Sequence, residues 1–419
     1  MTVKLRLTLM SFLQFFVWGA WLITIGVYWF QTKQWGGTEF GAIFSTLGIS
    51  SIFMPPLMGI VADRWLNAEK LYGVLHILFG ISFLFLPQIN DPNTFFYLVL
   101  LAMLFYMPTI SLSNSISYNA LKSSNYDVIK AFPPIRVWGT IGFIAAMWLT
   151  NLLGYKASAN QFYISAIAAI GLGLYSFTLP QCPPQKLIDK NASFAELFGL
   201  NAFKLFGNYK MALFFVFSMF LGAALQLTNM YGDTFLSDFG NMPQYKDSVI
   251  VRYSTLIMSI SQISETLFIL AIPFFLKRFG IKKVMLLSMF AWVLRFGLFA
   301  FGNPAGDLWM IILSCIVYGM AFDFFNISGS LFIETTTDSK IRSSAQGLFM
   351  MMTNGFGAVI GASASGYIIQ RFFTLADNSK DWHHIWLTFA AYALVIAIAF
   401  AFMFKHKHTT TEDNANLTR

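Results

Sequence analysis

The sequence predicts an all-α integral membrane protein, with twelve transmembrane helices forming two six-helix bundles around a central cavity. Three observations carry this reading. Hydrophobic residues make up 57% of the chain and charged residues 11%, with a mean hydropathy of +0.62, which leaves too little polar surface to cover a soluble globule of 419 residues. Apolar stretches of about 20 residues, the length a helix needs to cross a bilayer, recur along the chain with short polar connections between them. The one long connection divides six such stretches from six, a layout in which related half-bundles hold a substrate site near mid-membrane.

The expected spans are residues 5–30, 41–62, 71–87, 95–121, 134–153, 162–179, 211–235, 253–276, 284–301, 308–332, 344–369 and 385–404. The first is too long for a signal peptide and has no small-residue cleavage site, so it is kept as a span. The second ends in GIVADRW (Gly59 to Trp65), the third carries His76, and the fourth contains the polar run ISLSNSISYN (Ile110 to Asn119). The fifth sets Arg136 near its start. The sixth leads into a connection that opens with LPQCPPQKLIDK. The seventh contains QLTN and the eighth QISE, followed by LKRFGIKK (Leu276 to Lys283) where the first half has GIVADRW, the best trace of internal repetition. The ninth holds Arg295, the tenth holds Asp323, and TNGFG (Thr353 to Gly357) interrupts the eleventh. His383 and His384 mark the outer boundary of the twelfth. The chain thus divides into a first bundle (1–180), a cytoplasmic linker (181–210), a second bundle (211–404) and a polar, disordered tail (405–419).

Positive connections stay in the cytoplasm. Twenty of the 27 Lys and Arg residues fall on the side of the N-terminus, and six fall opposite (Lys33, Lys156, Lys246, Arg252, Arg371 and Lys380). Both termini are therefore expected in the cytoplasm. The same asymmetry accounts for the net charge of +8 and the pI near 9.3, which report topology and not nucleic-acid binding. Cys182 and Cys315 lie in the linker and in the tenth span, so neither a disulfide nor a metal site is expected. The five histidines form no ligand pattern, and no cofactor is expected.

An ionisable side chain at bilayer depth costs at least roughly 2.5–3.5 kcal/mol and marks function by default. Four stand out: Arg136, Glu265, Arg295 and Asp323. Their charges cancel, which also suits ion pairs that only hold helices together. Glu265 and Asp323 lie near mid-span among other polar groups, which favours function. Gln262 and Glu265 share one helical face, as do Gln226 and Asn229, so two helices each present a polar pair at similar depth and line a cavity. The alternative for the amides is hydrogen bonding between helices, at roughly 1–2 kcal/mol. Arg295 lies in the outer half of its span, where it could snorkel or pair. Helical spacing brings Phe143, Tyr318 and Phe322 near the polar set. Gly355, Gly357, Gly361 and Gly366 read as packing or hinge positions. No nucleophile motif or metal cluster supports an enzyme, and a passive channel would need no titratable carboxylate at mid-membrane.

The stretches FPPIRVWGTIGF (Phe132 to Phe143), SISQISETLF (Ser259 to Phe268), AFDFFNISGSLF (Ala321 to Phe332) and SAQGLFMMMTNGFG (Ser344 to Gly357) resemble the bacterial nucleoside:proton symporters of the major facilitator superfamily, of nucleoside and xanthosine permease type. The resemblance covers nearly the whole chain. GIVADRW alone would indicate only the wider superfamily, and it departs from that loop pattern at Trp65 and Leu66. The resemblance implies a major facilitator fold in the cell inner membrane, a monomer, and import of nucleosides with protons by alternating access. It also implies a substrate site built from Arg136, Thr140, Phe143, Gln226, Asn229, Gln262, Glu265, Tyr318, Phe322 and Asp323; burial, which disfavours a charged carboxylate, makes Glu265 and Asp323 the candidate proton carriers. The resemblance sets Arg136 in the cavity, whereas the span boundary sets it near the cytoplasmic surface. A helix that starts earlier, with Pro133 and Pro134 in its first turn, would reconcile the two. Carboxylates, amides and an aromatic face match ribose hydroxyls, base edges and the base plane. They also suit sugars, so a sugar transporter and a passive nucleoside facilitator remain alternatives.

Overall fold

The computed structural model describes residues 2–184, 200–338 and 341–406, and their regular structure is helical apart from one isolated bridge between Thr374 and Lys380. The long helices are α1 (Val3–Gly19), α2 (Gly37–Arg64), α3 (Ala68–Phe85), α4 (Pro92–Ser123), α5 (Val128–Leu152), α6 (Asn160–Ser176), α7 (Tyr209–Asp238) and α8 (Ser254–Phe301). They continue with α9 (Leu308–Thr336), α10 (Arg342–Met350), α11 (Ala358–Phe372) and α12 (Trp382–Met403). A π-helical segment, Met351–Gly357, joins α10 to α11 where the TNGFG run interrupts the pattern. Side chains in the polar connections start several helices by accepting their free N–H groups: Asp91 accepts from Thr94 N at 2.8 Å, and Asn208 from Lys210 N at 3.0 Å.

Nine helices among the described residues are long and apolar enough to cross a membrane. The three further expected spans fall short for separate local reasons. The first breaks after Gly19 and resumes at Ile25–Val27 and the π-helical Tyr28–Thr32. The sixth is a helix of 17 residues. The eighth and ninth form one run of 48 residues, bent at Gly280, whose φ of 75° suits a residue without a Cβ. The residues 185–199 of the expected linker and 407–419 of the expected tail lie outside the described residues.

In the first half α1 packs on α5 and α6, and α3 on α4 and α6; in the second α7 packs on the π-helical segment and α11, and α8 on α9 and α12. The two sets meet along α2 with α11 and along α5 with α8. The first seam is a close backbone contact: a Cβ on Gly41 would enter the Ala362 carbonyl, and one on Gly366 the Gly37 carbonyl. The second is polar. Trp148 Nε1 donates to Ser259 Oγ at 2.8 Å, and Asn151 Nδ2 to the Arg252 carbonyl at 2.9 Å.

Among the described residues every hydrogen bond between the halves lies at one end, the end of the 33–36, 153–159 and 373–381 connections. One hydrophobic core runs through both halves there, including Trp29, Phe40 and Phe95 with Tyr231 and Phe235. Toward the other end the shared core continues in the second half alone, to Phe332 and Phe404, and separate clusters form at Leu71, Leu75 and Ile116 in the first half and at Ile272, Val284 and Phe324 in the second. The molecule is therefore sealed at one end and divided at the other.

Candidate substrate cavity

Below the seal, between the halves, lies a cavity of about 320 Å³, within the roughly 300–1,000 Å³ range of small-ligand sites. Helical periodicity builds its wall, since residues three, four and seven apart share a face. Arg136, Thr140 and Phe143 project from α5, Gln226 and Asn229 from α7, Gln262 and Glu265 from α8, and Tyr318 and Phe322 from α9. These are nine of the ten residues expected to bind substrate. The tenth, Asp323, does not line the cavity: one step along α9 from Phe322, it turns behind the wall and is 5% exposed.

Arg136 sits in the cavity and not near the surface, because α5 begins at Val128 and carries both prolines inside the helix, beyond its first turn. Its guanidinium lies 4.0 Å from the centre of the Phe15 ring. It acts electrostatically on Glu265 of the opposite half without forming a salt bridge, and Glu265 in turn acts on Asp323. The Tyr318 and Phe322 rings are stacked, 5.9 Å apart and 11° from parallel. Two acceptors of the wall, Gln226 Oε1 and Gln262 Oε1, have no partner within the protein. Buried acceptors left unmatched are costly, so the wall is set to receive donors from a bound solute.

Arg295 neither snorkels nor reaches the cavity. It is fully buried, donates from Nη1 to the Ser314 carbonyl at 2.6 Å, and lies 4.7 Å from the Tyr318 ring centre. Phe15, Trp18, Met107 and Asn354 also line the cavity and were not singled out from sequence. The TNGFG interruption was the available signal for Asn354, while the aromatics are lost among 47 phenylalanines and 11 tryptophans. Asp233, an acidic residue inside the expected seventh span, was also passed over; it is fully buried at the seal. His76 packs between Tyr72 and Tyr106 with Nδ1 on the Tyr72 carbonyl, a place in the core. Gly355, Gly357 and Gly361 face Ile52, Met219 and Ala223 closely, as packing positions do.

A helical membrane protein whose two halves enclose a polar, charged cavity, closed on one side, is a membrane transporter by architecture. The chain belongs to the nucleoside H+ symporter family, whose model matches residues 1–409. It is 50% identical over 398 residues to the nucleoside permease NupG of Escherichia coli K12, covering 94% of each chain. It is 49% identical over 399 residues to the xanthosine permease of the same organism, again covering 94% of each. A crystal structure of the nucleoside transporter NupG superposes with a TM-score of 0.91 at 50% identity, covering 97% of this chain and 100% of that one. These relatives are permeases and not enzymes.

Proposed function

We propose that this protein imports nucleosides together with protons across the bacterial inner membrane, as a monomer with both termini in the cytoplasm, by exposing the central cavity to each side in turn. The observation that carries this reading is the composition of the cavity wall. The Tyr318 and Phe322 stack offers an aromatic face for a base, the amides of Gln226, Asn229 and Gln262 offer partners for its edges, and Glu265 offers an acceptor for ribose hydroxyls. Arg136 from one half faces these groups from the other, so the site is complete only when the halves come together around the solute. The Lys and Arg distribution supports the stated orientation, and with it the sealed end is the outer one and the cavity faces the cytoplasm.

Glu265 is the proton carrier best placed to sense the solute, since it touches the cavity and acts on both Arg136 and Asp323. Asp323, behind the wall, serves as its partner in proton exchange. Inward movement of one positive charge gains about 2.3 kcal/mol per 100 mV of membrane potential. Competition decides the substrate class: labelled uridine uptake is blocked by excess unlabelled nucleoside and not by hexoses or disaccharides. Block by a sugar and not by nucleosides would refute the reading.

A further inference from the structure

A second ionisable centre lies in the seal, away from the cavity. Asp233 of α7 is fully buried; its Oδ1 accepts from Thr255 Oγ1 at 3.0 Å, and its Oδ2 has no partner. From the other half, the connection after α5 delivers Lys156. Its ammonium donates to the Val251 carbonyl at 2.6 Å, to Ser254 Oγ at 2.9 Å and to Ser237 Oγ at 3.2 Å. Lys156 stops at the Ser254 hydroxyl and acts on Asp233 from there, without a direct salt bridge. Asn151, five residues before Lys156, accepts from Thr255 N at 3.2 Å and donates to the Arg252 carbonyl.

We propose that Asp233 is a proton-binding site of the seal, and that its proton and the docked Lys156 exclude one another. The inference rests on the transport reading and extends it to the gate. The charge of a buried carboxylate needs a counter-charge or must be neutralised. Lys156 is the charged group that acts on Asp233 among the described residues; on the elements packed around it, Ser237, Ser254 and Thr255 are neutral, and Arg252 lays its guanidinium on the Tyr253 ring at 5.5 Å. Lys156 belongs to the first half and Asp233 to the second, so opening the seal draws the ammonium away. The carboxylate then takes a proton from the outer solution. Closing the seal returns Lys156 and releases that proton back to the outer solution. By linkage, acid on the outside favours the open seal. The opposite seam is glycine backbone on backbone along its length, with Glu39, Asp238 and Lys380 at its outer end.

The test reads the seal directly and needs no substrate. In a chain with Cys182→Ser and Cys315→Ser, a single Ser51→Cys in the cavity wall reports opening through its reaction with a membrane-impermeant thiol reagent added outside intact cells. The expected result is labelling that, divided by the labelling of a fully exposed reference thiol at the same pH so that the thiolate fraction cancels, rises several-fold as external pH falls from 7.5 to 5.5. In Asp233→Asn it is high at both pH values, and in the exchanged pair Asp233→Lys with Lys156→Asp it returns toward the low level. Labelling of the parent that ignores external pH, or an Asp233→Asn variant that keeps the parental dependence, would overturn the proposal. Uridine binding by the detergent-purified variants checks that they are folded. Absence of uridine binding by the parent as well would count against the transport reading and leave the labelling result standing.

Discussion

The guanidinium of Arg295 lies 4.7 Å from the centre of the Tyr318 ring, behind the wall of the cavity that Tyr318 lines. This buried cation holds the aromatic face in place: it donates to the Ser314 carbonyl at 2.6 Å, and the Ser314 hydroxyl donates back to the Arg295 carbonyl at 2.8 Å. A desolvated cation–π contact is worth about 2 kcal/mol, and about 1.4 kcal/mol is tenfold in affinity. Arg295→Met, which keeps the apolar stem, is expected to weaken nucleoside binding about tenfold and to lower the thermal midpoint in detergent. Unchanged binding by isothermal calorimetry would contradict this role.

Glu265→Gln retains the shape and an acceptor oxygen but cannot release a proton. Exchange of labelled for unlabelled nucleoside across vesicles, which needs no net proton movement, is expected to persist within about tenfold, while uphill accumulation disappears. Asp323→Asn, behind the wall, is expected to shift the pH dependence of accumulation while leaving binding nearly intact. If both variants accumulate nucleoside with the parental pH profile, neither carboxylate carries the proton.

The glycine seam sets a steric prediction. A Cβ at Gly41 meets the Ala362 backbone across the seal, whereas one at Gly171, in α6, meets nothing within 4 Å. Overpacking of this kind costs about 1–3 kcal/mol. Gly41→Ala is expected to hold the seal open and slow uptake, and Gly171→Ala to leave uptake unchanged and raise stability by about 0.5–1 kcal/mol. Equal effects of the two on uptake would rule out close packing as the function of Gly41.

Outside the membrane, the start of the connection between the halves is clipped to α3. Cys182 N donates to Glu69 Oε2 at 2.8 Å, and Ala68 N to the Cys182 carbonyl at 3.0 Å. Burial, with the nearby Glu69 and Asp63 carboxylates, pushes the Cys182 thiol up from its ordinary value of 9.0 to about 11. A raised thiol stays protonated, so at pH 8 its thiolate fraction is about a hundred times smaller than that of a free cysteine. Iodoacetamide labelling of Cys182 is expected to be slow at pH 8 and to climb toward pH 11, and Glu69→Gln to speed it. Rapid labelling at pH 8 would show the clip to be open.

Much of this was legible in the sequence because lipid makes polar residues expensive. A Gln262 and Glu265 pair inside an apolar run has few explanations, and the cavity that nine expected residues share is the one such pairs imply. Depth was harder to read. Pro133 and Pro134 look like a helix start, yet α5 runs through them from Val128, and the difference moves Arg136 from the surface to the cavity. Direction around a helix axis was harder still: Asp323 and Phe322 are adjacent in sequence, but only Phe322 faces the cavity. Arg295 was placed by its tertiary partners, Ser314 and Tyr318, which sequence spacing does not reveal. Asp233 was visible as an acidic residue within a span, but its partner lies 77 residues away by number, in a connection of the other half.

The most direct test of the central claim is accumulation of labelled uridine and adenosine by energised cells expressing this chain, with and without a protonophore. The account predicts accumulation above the external concentration that collapses when the protonophore is added. Uptake that only equilibrates and ignores the protonophore, with the protein correctly inserted, would contradict proton-coupled transport and identify a passive facilitator.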